Sequence, residues 1–145
     1  MKQISVEEVE YVAHKLAEQW MTYNEPIPSF KTRYPNALES CLATPFQSFA
    51  GRDAYRGLIG KSSILFYLMI KNHPFRNGNK RIAMTALFAL LYKNKKWIKV
   101  DDIELYNFAK WVAESNPKLR EATILAIQKF LKTYIVNLSD IKPGD

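Results

Sequence analysis

The chain has 145 residues, 48% of them hydrophobic and 24% charged, with a formal net charge of +7. That is enough apolar side chain for one domain with a real core, and it excludes a disordered chain. The single cysteine, Cys41, excludes an internal disulfide framework and a cysteine-based zinc cluster, and no apolar run reaches the ~18 residues that a membrane-crossing helix requires.

The amino-terminal segment "MKQISVEEVEYVAHKLAEQW" is amphipathic and lacks the apolar block of a signal peptide, so a cytoplasmic protein is expected. Ser5 with Glu8 three residues on has the capping-box spacing, and Val9, Val12, Leu16 and Trp20 recur at helical intervals. His14 on the same segment reads as a surface residue. Pro26, Pro28 and Pro35 break the next stretch of chain, and "NALESCLA" after Pro35 reads as a short helix. "TPFQSFAGRDAYRG", with Pro45, Gly51 and Gly57 among aromatics, reads as a loop with a small hairpin.

Residues 61–72 and 80–94 are apolar around most of their circumference, the pattern of helices buried on all sides. Lys95 to Asp101 is a connector, and Asp102 is a candidate cap for the next helix. Asn116 as N-cap with Pro117 at the first helical position opens the last helix. The tail, 136–145, is expected to fray. The whole predicts one all-α domain over 1–145, a helical bundle with two central buried helices. The basic residues are scattered from Lys2 to Lys142, which reads as a solvated surface. No helix-turn-helix pattern or aromatic–basic platform supports nucleic-acid binding.

The two central helices are joined by "HPFRNG". Pro74 disfavours the α region for His73 and ends the first helix. Asn77-Gly78 is a turn dipeptide in which Gly78 supplies a positive φ. The second helix opens at Asn79, and its first N–H groups lack intrahelical partners. Glycine, turn and helix start together suit an anion, yet Lys80 and Arg81 place two cations against the positive helix end. A bound polyphosphate makes that arrangement attractive, with Arg81 able to grip two oxygens at once. Alone, "NGNKR" reads as a turn with its cations in solvent. His73 across the same loop alters that reading, because an imidazole suits proton transfer near neutrality. Phe75 is expected to point inward and pin the loop.

"HPFRNGNKR", residues 73–81, resembles the active-site signature of the Fic/Doc family: histidine-x-phenylalanine-x-acidic-glycine/alanine-asparagine-lysine/glycine-arginine. "NALESCLATPFQSFAGRDAY" is similar to the segment before the motif in the death-on-curing (Doc) branch. The likeness covers residues from about 30 to 115; the first and last helices match only in being helices. The resemblance implies a compact all-α fold with His73 as the catalytic base. It implies that Gly78, Asn79, Lys80 and Arg81 hold nucleotide phosphates, and that the loop with Pro45, Phe46, Gln47, Ser48 and Phe49 is the flap that aligns a target peptide. It implies ATP and Mg²⁺, a protein substrate with a Ser, Thr or Tyr hydroxyl such as a translation factor, and a separate antitoxin. Lys80, and Met84 where AMP-transferring members often carry a second arginine, are Doc-like and point to phosphate transfer; AMP transfer is the alternative. Asn77 stands where the family has an acidic Mg²⁺ ligand. Its carbonyl oxygen can ligate the metal but brings no charge, so a catalytically impaired member that binds nucleotide or protein is a third reading. The self-inhibitory pattern Ser/Thr-x-x-x-Glu-Gly/Asn of many Fic proteins is absent.

Overall fold

The computed structural model describes residues 1–20 and 25–142. Helix α1 runs over residues 6–19, as an α-turn at Val6–Glu8, a π-helical stretch at Val9–His14 and an α-segment at Lys15–Gln19. Its predicted capping box is formed: the Ser5 hydroxyl accepts from the Glu8 N–H at 3.1 Å, and the Glu8 carboxylate accepts from the Ser5 N–H at 3.0 Å. Helix α2, Pro35–Ala43, opens with proline in its first turn and presents Leu38, Cys41 and Leu42 to the interior. Burial raises the Cys41 thiol to about 11, so it stays protonated and serves packing rather than chemistry.

Helices α3, Gly57–Lys71, and α4, Asn79–Lys93, form the centre. Every residue from 60 to 70 and from 81 to 88 is buried, as expected of helices apolar on all sides. Helices α5, Asp102–Glu114, and α6, Arg120–Tyr134, cover them from one side, each with a single buried stripe. Among the described residues, four short strands complete an otherwise all-α fold: β1, Ser48–Phe49, pairs with β2, Arg52–Asp53, and β3, Lys96–Ile98, pairs with β4, Ile135–Asn137.

Three local expectations need correction. The cap of α5 is Asp101 rather than Asp102; its carboxylate accepts from the N–H groups of Ile103 at 3.2 Å and Glu104 at 3.4 Å, and Asp102 is the first helical residue. The connector 95–101 contains β3. The tail does not fray over its described part, because Trp97 pairs with Val136 and the Leu138 N–H donates to the Lys95 carbonyl at 3.0 Å. Residues 143–145 lie outside the described residues. The expected hairpin is present, turning at Ala50 and Gly51 with φ of +51° and +77°. A feature not read from the sequence holds it. Lys61 on α3 is buried, and its ammonium donates to the Asp53 carboxylate at 3.0 Å and to the Tyr55 carbonyl. No helix of the described residues is long and apolar enough to cross a membrane.

Leu87 is fully buried on α4, whereas Leu125 on α6 is 63% exposed. Leu87→Ala should lower unfolding stability by about 2–5 kcal/mol through lost transfer energy and a residual cavity. Leu125→Ala should change it by less than about 0.5 kcal/mol. Urea unfolding of both variants checks the pair.

Candidate active site

The site is built where α3 stops and α4 begins. Helix α3 ends at Lys71, whose ammonium donates to the carbonyls of Ala113 at 3.1 Å and Ser115 at 2.6 Å. His73 leaves the α region as Pro74 demands, but by a positive φ of +46° rather than by extension. A non-glycine residue held there stores about 1–3 kcal/mol, which persists only where the surroundings impose it. The Pro74 carbonyl is fixed by the Tyr34 N–H at 2.9 Å. Phe75 points inward as expected, 1% exposed, with its ring 5.9 Å from those of both His14 and Phe30.

Asn79 closes the loop. Its Oδ1 accepts from the Phe75 N–H at 3.0 Å and its Nδ2 donates to the Phe75 carbonyl at 2.9 Å. Both ends of the amide are thus fixed in identity, and the remaining Nδ2 hydrogen faces His73 Nδ1 at 3.5 Å. Nδ1 is the acceptor in that contact, so the neutral ring carries its proton on Nε2. His73 itself is exposed.

Gly78 caps α4 with φ +72° and ψ +15°. A Cβ there would stand 2.5 Å from Ile27 Cδ1 and 3.2 Å from the Pro26 carbonyl, so conformation and space both require glycine. The first helical bond runs from the Ile82 N–H to the Gly78 carbonyl at 2.9 Å, which leaves the N–H groups of Asn79, Lys80 and Arg81 ahead of it. The arrangement is a helix mouth with a left-handed cap, suited to an anion.

The two cations behave differently from the expectation. The Lys80 ammonium is paired with the Glu25 carboxylate. Arg81 is 3% exposed and turned inward: its guanidinium donates to the carbonyls of Ala17, Glu25 and, at 3.5 Å, Trp20, while Nε has no partner. It ties the first helix and the 25–27 segment to α4, and in this arrangement it offers no free fork to a phosphate. His14 is likewise not a surface residue. It is 3% exposed, with Nε2 2.8 Å from the Pro28 carbonyl and Nδ1 3.0 Å from the Glu18 carboxylate, beneath the loop that Phe75 anchors. Both departures share a cause: residues 25–28, read from the sequence only as a proline-broken stretch, pack across the motif and supply carbonyl and carboxylate oxygens.

Asn77 is exposed, and its Oδ1 accepts the Gly78 N–H at 2.8 Å. That oxygen shapes the turn, and among the described residues no group of three or more His, Cys, Asp or Glu is gathered to hold a metal. The donor set does not fit a protein-held Mg²⁺, which favours carboxylates. Met84, at the place of the second arginine of AMP-transferring members, is fully buried in the core. The motif residues 73–81 come together in one loop with Glu25, Pro26 and Ile27. The loop expected to be the flap lies apart from these residues: Pro45 is buried, Phe46 packs against the core, Gln47 and Ser48 are exposed, and Phe49 is 76% exposed at the hairpin.

A histidine loop between two buried central helices, folded over a glycine-capped helix start, defines a small all-α class organised around that loop. The chain matches the Fic/DOC family over residues 3–91, and it belongs to that family. It is similar to a protein named Toxin Doc from Mycolicibacterium smegmatis, with 32% identity over 71 residues. That match covers 49% of this chain and 55% of the relative, so the chain spans about half the length of the curated relative it matches. No solved structure matches.

Gly78→Ala should destabilise the fold by about 1–2 kcal/mol from the left-handed backbone and by about 1–3 kcal/mol more from the clash with Ile27. Ile27→Ala, which removes the clashing methyl, should recover part of that loss in the double variant. Thermal or urea unfolding of the three proteins decides it. Equal losses in the single and double variants would assign the whole effect to φ.

Proposed function

We propose that the protein is a Doc-type enzyme of the cytoplasm that transfers phosphate from ATP to a hydroxyl of a target protein, a translation factor being the class expected, and that a separate antitoxin restrains it. The observation that carries this reading is the left-handed Gly78 cap of α4, with Lys80 beside it and an exposed, strained His73 held across the same loop by Asn79. In the reaction, the hydroxyl oxygen attacks the γ-phosphorus, the bond to the β-phosphate oxygen breaks, ADP leaves, and the hydroxyl proton passes to His73. The helix-mouth N–H groups and Lys80 face the phosphate charge that the transfer redistributes. Abstraction through Nε2 requires the opposite tautomer from the one that Asn79 supports, so the 3.5 Å contact opens when a hydroxyl is engaged. Asn77 would offer a Mg²⁺ carried by ATP a carbonyl oxygen and no negative charge, so the chain itself would contribute little to holding the metal.

A second reading is a nucleotide-binding member without transfer activity. Asn77 favours it, because its oxygen is engaged by Gly78 and carries no charge. AMP transfer is the remaining alternative; Lys80 in place of glycine, and Met84 in place of a second arginine, weigh against it.

The test is incubation with bacterial extract and ATP labelled at the α or the γ phosphate. Label from the γ position should enter protein. His73→Ala should abolish transfer with unchanged helicity by circular dichroism, because the residue lies in a loop. Label from the α position would identify AMP transfer. No transfer of either label, with ATP still bound in calorimetry, would identify the binding protein.

Asn77→Asp restores a carboxylate beside the helix mouth and should raise γ-label transfer together with its dependence on Mg²⁺. A titration of Mg²⁺ against rate for both proteins measures it. An unchanged rate at every Mg²⁺ concentration would exclude the missing charge as the limit on activity.

A further inference from the structure

We infer that the pocket between the end of the first helix, β3 and the start of α5 is a binding site for a small organic ammonium ion that carries an aromatic ring. The pocket has a volume of about 290 Å³. It is lined by the rings of Trp20, Phe88 and Trp97, by Ile141 of the tail, and by the charged residues Lys99 and Asp102. None of the motif residues 73–81 lines it, so it is separate from the helix mouth, and binding there does not depend on phosphate transfer.

The aromatic lining is preformed. Trp20 lies 5.4 Å from Phe88, and Phe88 lies 5.1 Å from Trp97, centroid to centroid. Phe88 is buried between two indoles that are themselves half-buried. A planar apolar group can cover such rings without ordering new side chains, so little of the gain from burial is lost to entropy.

The charge preference comes from Asp102. Asp101 already accepts the N–H groups of Ile103 and Glu104 as the cap of α5, so the Asp102 carboxylate has no capping role. Burial and, after it, the Asp101 charge raise the Asp102 carboxyl above its ordinary value, and no side-chain hydrogen bond offsets them. Lys99 borders the same pocket without reversing that shift. An ammonium ion relieves the repulsion between the two carboxylates, and the ring attached to it removes water from the indoles. A ligand carboxylate would instead add a third negative charge beside Asp101 and Asp102.

The experiment is backbone amide NMR titration of the full chain at neutral pH with three probes: 2-phenylethylamine, 2-phenylethanol, which has the ring without the charge, and ethylamine, which has the charge without the ring. 2-Phenylethylamine should bind roughly tenfold tighter than either of the others and should move the amides of Trp97, Ile98, Lys99 and Ile141. Asp102→Asn, which keeps the Asp101 cap, should lower its affinity to that of 2-phenylethanol and leave 2-phenylethanol unchanged. Trp97→Leu should weaken both ring-bearing probes; circular dichroism checks its fold, and the comparison of probes on the wild type stands without any variant. An amine that binds the wild type no tighter than the alcohol, or that loses nothing in a folded Asp102→Asn, would overturn the proposal. Shifts confined to Val12, Leu16 and Tyr92, or no saturable shift with any probe at millimolar concentration, would overturn it as well.

Discussion

The site depends on one side-chain amide. Asn79 takes the N–H of Phe75 on its oxygen and gives a hydrogen to the Phe75 carbonyl, so it copies on one residue the two-way pairing of a strand neighbour. A buried amide satisfied at both ends has one orientation. That orientation turns the loop, sends the Phe75 ring into the core and leaves His73 outside with a positive φ. It also places Asn79 as the first residue of α4, so the loop and the helix mouth are fixed by the same bonds.

Around that amide the chain solves an electrostatic problem. Two cations at the start of a helix oppose its dipole. Arg81 escapes by turning inward onto the main-chain carbonyls of Ala17, Trp20 and Glu25, the last on the strap of residues 25–28 that crosses the motif. Lys80 stays at the mouth and is matched by Glu25. The first helix is thereby bound to the site through a buried guanidinium, and the strap through Arg81, Lys80, His14 and the cavity over Gly78. The family match begins at residue 3, just ahead of the first helix, which accords with that helix supplying carbonyls to the motif.

Much of the fold is legible in the sequence where periodicity is strong. The all-round apolar pattern of 61–72 and 80–94 translates directly into the buried pair α3 and α4, and Ser5 with Glu8 forms its capping box. Asn77-Gly78 announces the turn and the left-handed cap. What local pattern does not carry is long-range pairing. Lys80 with Glu25, Arg81 with Ala17, Lys61 with Asp53 and β3 with β4 each depend on where the chain returns in space. His14 reads as solvent-facing because its neighbours Glu10, Lys15 and Glu18 are polar; the π-helical stretch and the Pro28 carbonyl place it inside. The sequence signal that points to the strap is Glu25 between helix breakers: an acidic residue next to Pro26 in a stretch facing a basic motif.

The central claim is that the glycine-capped start of α4 is where phosphate charge is received. Backbone amide NMR during titration with ATP and Mg²⁺ tests it most directly. The account predicts that the largest shifts fall on Gly78, Asn79, Lys80 and Arg81, with smaller shifts at Glu25 and Ile27 as the strap responds. Shifts confined instead to the apolar groove lined by Val12, Leu16, Phe88, Tyr92 and Trp97, with residues 78–81 unmoved, would contradict it.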